Sequence, residues 1–212
     1  MKKIILPIFF FFFAAATLVK AQSELRFGPT VGINFATIGG KDADQLVNNL
    51  SSKTGLYIGG FMNYQFSNMF ALQPEIAYTM KGATAADQGV NYTFSLNYIE
   101  VPVLLKFYIP IEGATNIKPS LYAGPTFAFN VASNVEASAN GQNQTVDLSS
   151  QTKGFDFGLA FGGGVGFNIG SGILDFSLRY TLGMTSFDNS GNNLTLTNGA
   201  FSIIAGYAFS IH

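Results

Sequence analysis

The sequence contains no cysteine and no tryptophan, and its single histidine, His212, stands at the carboxyl end. Without cysteine the chain has no disulfide, no zinc–thiolate site, no cysteine nucleophile and no lipid attachment at cysteine. A Ser–His–Asp triad or a histidine-rich metal site would rest on His212 alone. We therefore expect no catalytic residue, no metal site and no cofactor, and we do not expect an enzyme.

Charged residues are also scarce. They make up 11% of the 212 residues, less than half of the roughly 25% found in an average soluble domain. The net charge of −1 offers no basic surface for nucleic acid, so we expect no nucleic-acid partner. Hydrophobic residues nevertheless make up 48% of the chain and include 22 phenylalanines, which argues against disorder and predicts a single folded domain in partly apolar surroundings.

The amino-terminal segment has the features of a secretory signal peptide. A basic start precedes an apolar stretch over residues 4–19, and Val19 and Ala21 place small residues at the −3 and −1 positions of a cleavage site. The apolar stretch contains a proline and is shorter than the roughly 20 residues that a membrane-spanning helix needs. We predict that residues 1–21 are removed and that residues 22–212 form the mature, exported domain.

Beyond this segment no apolar run approaches the length of a spanning helix, and the sequence alternates with period two. In the last segment, large apolar residues such as Phe201, Ile203 and Phe209 alternate with mostly small residues. The same alternation recurs in seven earlier segments and predicts eight β-strands. They are placed at 26–36, 54–66, 70–81, 96–108, 119–131, 154–169, 173–184 and 201–212.

The connections between these strands alternate between shorter and longer ones. The shorter connections lie near 67–69, 109–117 and 170–173, and the longer, polar ones lie at 37–53, 82–95, 132–153 and 185–198. This layout predicts an all-β fold, an antiparallel up-and-down transmembrane β-barrel of about eight strands with its long loops at the external end. The hairpin-turn dipeptide Asn140-Gly141 predicts that the strands beside it continue beyond the membrane.

Seven mid-strand charged residues share the face opposite to the large apolar side chains. They are Glu75, Lys81, Glu100, Lys106, Asp156, Asp175 and Arg179. An eight-stranded barrel is only just wide enough inside for side chains, so the many large apolar residues fit outside, against lipid. A Lys or Arg on the lipid face at mid-membrane would cost about 2–4 kcal/mol, which places these charges in a narrow lumen of mostly small and polar residues.

The lumen charges have two interpretations. Paired acids such as Glu75 and Glu100 could in principle carry acid–base chemistry in a confined space. We favour a charge network that is structural or pore-lining and plugs the barrel, because removal of one partner would leave a buried charge unpaired at a cost of about 3–5 kcal/mol.

Two other sets of strand residues carry predictions. Each of four prolines removes a donor from the β-ladder, which suggests bulges at Pro29, Pro74, Pro102 and Pro125. Four tyrosines fit either an interfacial girdle or packing on lipid or lumen faces, namely Tyr64, Tyr78, Tyr98 and Tyr108.

The segments LQPEIAYTMKG at 72–82 and LNYIEVPVLLK at 96–106 resemble the paired signature of a Bacteroidetes family of outer-membrane β-barrel domains, the PorT-like or porin family proteins. Shorter segments that resemble it are 32–34, 122–125, 156–158 and 178–180. The resemblance covers essentially all of residues 22–212. It implies an eight-stranded barrel delivered to the bacterial outer membrane by the secretion and barrel-assembly machineries, and it implies little about biochemical role.

We therefore predict an integral outer-membrane β-barrel with a polar, plugged lumen and a structural or surface-interaction role. Its expected partners are outer-membrane lipid, the barrel-assembly machinery during biogenesis and a surface partner at the external loops. A small porin-like channel for ions or small solutes is the first alternative. A soluble periplasmic ligand-binding barrel is the second.

Overall fold

The structure, a computed structural model, describes residues 24–43, 50–111, 113 and 116–210. The predicted signal peptide and His212 lie outside these residues. Nine strands run through the described parts of the chain. Their bounds are β1 Glu24–Gly39, β2 Ser51–Gln65, β3 Phe70–Asp87, β4 Val90–Tyr108, β5 Ile117–Ala139, β6 Gln142–Asp147, β7 Phe155–Ile169, β8 Gly172–Gly183 and β9 Thr197–Ser210. Among the described residues, no helix has the length and apolar character needed to cross a membrane.

Eight of these strands close into a ring in the order β1-β2-β3-β4-β5-β7-β8-β9, with β9 pairing back to β1. Every pairing among the described strands is antiparallel, and within that part of the chain β6 pairs only with the far end of β5. Closure gives each barrel strand a hydrogen-bonding neighbour on both sides, as a hydrocarbon environment requires because it contains no water to satisfy free backbone groups. The predicted all-β antiparallel barrel is confirmed.

The two faces of the strands separate large apolar side chains from small and polar ones. On β1, Phe27 and Ile33 point outward and are about half exposed, whereas Thr30 and Asn34 point inward and are buried. Outward aromatic rings contact each other across neighbouring strands. The ring centres of Phe161 and Tyr180, for example, lie 5.5 Å apart. Such cross-strand pairs each stabilise a sheet by about 0.2–1 kcal/mol. The predicted outward apolar face is therefore confirmed.

Two of the predicted long connections are mostly strand. The prediction of a loop over 82–95 is wrong, because β3 and β4 continue to a two-residue turn at Gln88 and Gly89, whose φ angles are 48° and 82°. The hairpin turn predicted at Asn140-Gly141 is present, because β5 and β6 pair around this dipeptide, with φ angles of 51° and 77°. Positive φ at both central positions is typical of the tight hairpin turns that match strand twist.

The four strand prolines do not mark bulges, so that prediction is wrong. The strand register continues unchanged past each of them, and the two register shifts lie between Ser52 and Tyr57 and between Asn97 and Tyr98. Each proline lies instead within a two-residue gap of one ladder and is paired in the ladder on its other side. Because the strands do not pair at this position, the backbone N–H that proline lacks is not needed there, and the neighbouring pairs keep their register.

Candidate functional site

The structure places all seven predicted charged residues in the barrel interior. Six of them are at most 5% exposed, and the side chain of the seventh, Asp175, is 18% exposed. Three ion pairs form among them, and Asp156 is the remaining carboxylate. Each of these residues lies an even number of positions from small inward-facing residues of its strand. Because a β-strand turns alternate side chains to opposite faces, this spacing places the charged side chains inside the barrel.

Arg179 and Glu75 form an ion pair that spans the lumen. Arg179 lies on β8 and Glu75 on β3, which stand opposite each other in the ring. The guanidinium donates two parallel hydrogen bonds to the carboxylate, from Nη1 to Oε2 at 2.9 Å and from Nη2 to Oε1 at 2.8 Å. This bidentate arrangement is the strongest geometry available to an Arg–carboxylate pair, and it joins the two walls directly.

Neutral side chains surround this pair and add further hydrogen bonds to it. The hydroxyl of Tyr57 donates to Glu75 at 2.7 Å and accepts from Arg179 at 3.0 Å, and the amide of Gln73 donates to Glu75 at 2.8 Å. The guanidinium lies 5.5 Å from the ring centre of Tyr57 and 5.4 Å from that of Tyr122. The charges are thus enclosed by aromatic rings as well as by hydrogen bonds.

A second ion pair also crosses the interior. The ammonium of Lys106 on β4 donates to a carboxylate oxygen of Asp175 on β8 at 2.8 Å. A third pair joins neighbouring strands, with Nζ of Lys81 lying 2.5 Å from Oε2 of Glu100 and 5.7 Å from the ring centre of Tyr98. Two of the three pairs therefore link β8 to the far side of the barrel.

Asp156 is held by neutral donors. It accepts a hydrogen bond from the hydroxyl of Thr185 at 2.5 Å and another from the amide of Asn198 at 3.3 Å. The same Asn198 amide donates to the hydroxyl of Tyr98 at 2.9 Å. Asn198 lies near the start of β9, and Tyr98 lies on β4 at the opposite side of the ring. This contact is therefore a further link across the lumen.

Several interior residues were not predicted. Arg26 on β1 is 3% exposed, pairs with Glu24 and donates to the side chain of Gln65 at 3.1 Å. Its inward position follows from the same alternation as Thr30 and Asn34, so the period-two pattern could have identified it.

Of the four tyrosines left open, Tyr98 is 1% exposed inside the barrel, which excludes an interfacial position for it.

The glycine-rich stretch of β7 makes room for a ring rather than for a ligand. A Cβ atom on Gly162 would overlap the backbone carbonyl oxygen of Leu178 and would lie 2.8 Å from the hydroxyl oxygen of Tyr122, both too close for an ordinary contact. Tyr122 also donates to the carbonyl oxygen of Leu178 at 3.2 Å. The absence of a side chain at Gly162 thus lets an aromatic ring fill the narrow interior.

The external end of the interior is apolar, which differs from the predicted lumen of mostly small polar groups. Ile38 on β1 and Leu96 on β4 pack there with Phe187 and Leu196 of the connection between β8 and β9. The polar prediction was wrong for this end because it assigned the whole connection to external loops. Phe187 and Leu196 enter the barrel mouth and bury their side chains there.

Backbone hydrogen bonds hold this connection over the mouth. The amide of Phe187 donates to the carbonyl of Leu196 at 2.9 Å, and the amide of Lys153 donates to the carbonyl of Phe187 at 2.7 Å. The amide of Asn189 donates to the carbonyl of Gln151 at 2.8 Å. We call residues 149–153 and 184–196 together the mouth cover. The bonds of Lys153 and Asn189 join its two parts to each other.

Little open space remains beside the ion pairs. The cavity that contacts Arg179, Glu75 and Lys106 has a volume of about 30 Å³. A cavity needs about 10–15 Å³ to hold one water molecule, so this space suits one or two. Among the described residues, no group of three or more Asp, Glu or His side chains is arranged to hold a metal ion.

The β5–β6 hairpin projects from the external end. All six residues of β6 are exposed, and among the described strands β6 has no neighbour on its second edge. Near its base, Asp147 accepts a hydrogen bond from the backbone amide of Ser149 at 2.7 Å. Hydrogen bonds from the hydroxyl and the amide of Ser149 lower the pKa of the Asp147 carboxyl.

A family profile described as "Outer membrane protein beta-barrel domain" matches residues 20–189. Among solved structures, the fold is similar to that of Neisserial surface protein A (NspA), with 14% identity over 87% of this chain and 97% of that chain and a TM-score of 0.51. It is also similar to OprG from Pseudomonas aeruginosa, with 11% identity over 90% and 95% of the two chains and a TM-score of 0.50. No curated protein matches the sequence significantly.

Proposed function

The chain belongs to the family of outer membrane protein β-barrel domains, which places it in the bacterial outer membrane, and on that premise we propose that it is a non-conducting barrel whose external end binds a surface partner. The outer-membrane location removes the soluble periplasmic alternative. The narrower PorT-like assignment stays part of the proposal, as does the absence of catalytic activity.

The cross-lumen contacts carry the first half of the proposal. Arg179–Glu75 and Lys106–Asp175 join β8 to opposite strands, and Asn198 joins β9 to Tyr98 on β4. An ion that passed through would have to break these contacts and separate buried opposite charges. Such separation costs several kcal/mol per pair, so the network acts as a structural plug rather than as a pore lining.

Planar-bilayer recordings test the plug. We expect the wild-type protein to show no steady single-channel conductance. A variant carrying Arg179→Ala, Glu75→Ala and Tyr57→Ala removes the central cross-lumen contact and is expected to show brief openings, because Lys106–Asp175, Asn198–Tyr98 and the mouth cover still narrow the lumen. A matched variant with the outward substitutions Leu178→Ala and Ile76→Ala is expected to remain closed. Steady wild-type conductance would overturn the plug and favour the porin-like channel.

The external end carries the second half of the proposal. β5 has 23 residues, whereas a tilted strand needs about 9–11 to cross the hydrocarbon core, so much of β5 and all of β6 stand beyond it. Edge strands are commonly protected by charge or proline, but residues 142–146 contain neither. The free edge of β6 therefore suits addition of an extended strand from a partner protein.

A substitution on β6 tests this edge. Thr145 faces Glu136 across the hairpin, so Thr145→Lys adds a charge to the edge while gaining an opposite charge across the strands. Thr145→Val is the uncharged control. Barrels in lipid nanodiscs are used to capture surface and secreted proteins, and we expect a partner that the wild type and Thr145→Val retain and Thr145→Lys loses. Capture that is equal for all three proteins contradicts a role for this edge.

The proposal includes export with removal of residues 1–21 and assembly by the barrel-assembly machinery. Mass spectrometry of the protein purified from outer membranes checks the cleavage. We expect a mature chain that begins at Gln22. A chain that retains Met1 would contradict the signal-peptide prediction.

A further inference from the structure

A cavity of about 190 Å³ lies at the external end of the barrel, beneath the mouth cover. Its walls include the side chains of Ile38 on β1 and Leu96 on β4. Phe187, Leu194 and Leu196 of the mouth cover add to the apolar part, to which Phe94 and Leu148 also belong. The function proposed above does not use this cavity.

Polar side chains line one part of the same cavity. They belong to Asn134, Gln151, Thr152 and Asn192 among others. Asp188 also contacts the cavity, but its carboxylate already accepts hydrogen bonds from the backbone amides of Ser190 and Leu194, each at 3.3 Å. The cavity therefore combines a mostly aliphatic and aromatic wall with a limited number of neutral polar groups, which is typical of sites for small organic molecules.

The volume and lining indicate the kind of molecule that fits. An engineered cavity of about 150 Å³ lined by Leu, Ile and Phe stays dry and binds benzene or xenon. The cavity here is somewhat larger and has the same residue types on its apolar wall. The apolar wall offers no hydrogen bonds to water, so an apolar molecule that displaces water from this wall gains dispersion contacts with it.

The walls are fixed before any molecule arrives. The hydroxyl of Ser186 donates to the carbonyl of Leu194 at 2.8 Å and accepts from the amide of Leu196 at 3.1 Å. These bonds hold the connection so that Leu194 and Leu196 border the same space. A preformed site binds more tightly because less conformational freedom is lost on binding.

We propose that this mouth cavity binds a small apolar molecule, of the size of one aromatic ring or a short alkyl chain. The ligand enters from the external side and rests against Phe187, Leu194 and Leu196. The cross-lumen contacts below it then keep it from passing further inward. The barrel thereby acquires a binding site that is separate from the β6 edge.

Benzene titration in lipid nanodiscs, followed by NMR of ¹³C-labelled Leu and Ile methyl groups, tests this site. Benzene also dissolves in lipid, so the outward methyl groups of Leu121, Leu178 and Ile203 serve as internal controls. We expect the methyl signals of Ile38 and Leu196 to shift and saturate. The outward methyl signals should shift in proportion to benzene and not saturate.

Two tryptophan variants sharpen the test, because the natural chain has no tryptophan. Leu194→Trp fills the cavity and is expected to weaken benzene binding at least tenfold. Leu178→Trp places the same ring against lipid and is expected to leave the binding unchanged. Saturation that persists unchanged in Leu194→Trp would overturn the proposal. If that variant does not fold, the wild-type titration decides alone, and the absence of saturation at the cavity methyl groups overturns it.

Discussion

Arg179→Met is expected to destabilise the folded barrel by about 3–5 kcal/mol, because it leaves the buried carboxylate of Glu75 without its cation. Arg179 donates two hydrogen bonds to Glu75 and a third to Tyr57, and both charged residues are buried. Methionine keeps the unbranched, flexible character of the side chain but donates no hydrogen bond. The loss thus follows from an uncompensated charge more than from a cavity.

A double-mutant cycle separates that charge effect from lost packing. Glu75→Gln removes the charge of the partner and keeps an amide that Gln73 and Tyr57 can contact. We expect Arg179→Met/Glu75→Gln to be more stable than Arg179→Met alone, with a coupling of at least about 2 kcal/mol. The control Leu178→Ala lies next in sequence and points outward, so it should lack any coupling to Glu75→Gln.

Urea unfolding in lipid vesicles measures these free energies, with heat-modifiable gel mobility and circular dichroism as independent signals of the folded barrel. A loss of 3 kcal/mol corresponds to a change of about 10² in the folding equilibrium. The reasoning is refuted if Arg179→Met costs less than about 1 kcal/mol, or if the double variant is no more stable than the single one. Either result would mean that the interior solvates the Glu75 carboxylate without the guanidinium.

Three further predictions concern the wall and the hairpin. Phe161 lies near the middle of β7 on the lipid face, and Phe161→Arg should lower the free energy of unfolding in vesicles by about 2–4 kcal/mol. Phe157→Arg, nearer the external end, should lower it less, and equal losses would contradict the membrane position. Gly28→Ala should prevent or strongly slow folding, because its Cβ would overlap a facing backbone carbonyl, while Gly154→Ala, with open space around it, should fold as the wild type does. Gly141→Ala places a side chain at a φ of 77° and should speed hydrogen exchange in the β5–β6 hairpin without changing barrel stability; unchanged exchange would refute the turn assignment.

Much of the barrel wall could be predicted from local patterns. The alternation at Phe201, Ile203 and Phe209 reports which face a side chain occupies, since a strand fixes that relation between neighbours. The same logic correctly turned Glu75 and Arg179 to one face. It also extends to Arg26, which the alternation along β1 turns to the same inward face as Thr30 and Asn34.

Two of the errors share a physical cause, which is that distant parts of the chain decide the outcome. Pro29 was expected to force a bulge, but the closed ring holds the neighbouring pairs in register and confines the defect to a gap. The 185–198 connection was expected to be an external loop, but Phe187 and Leu196 find an apolar space between β1 and β4. Neither result depends on residues adjacent in sequence.

The sequence by itself determined the strands, the two faces, the hairpin at Asn140-Gly141 and the group of charges that avoids lipid. These features depend on backbone periodicity, turn preference and the cost of placing charge in hydrocarbon, which all act locally. Only the tertiary structure decided which charges pair. Arg179 meets Glu75 because ring closure sets β8 opposite β3, and the mouth cavity exists because a connection far along the chain packs against β1 and β4. Such contacts depend on barrel diameter and strand order, which no single segment encodes.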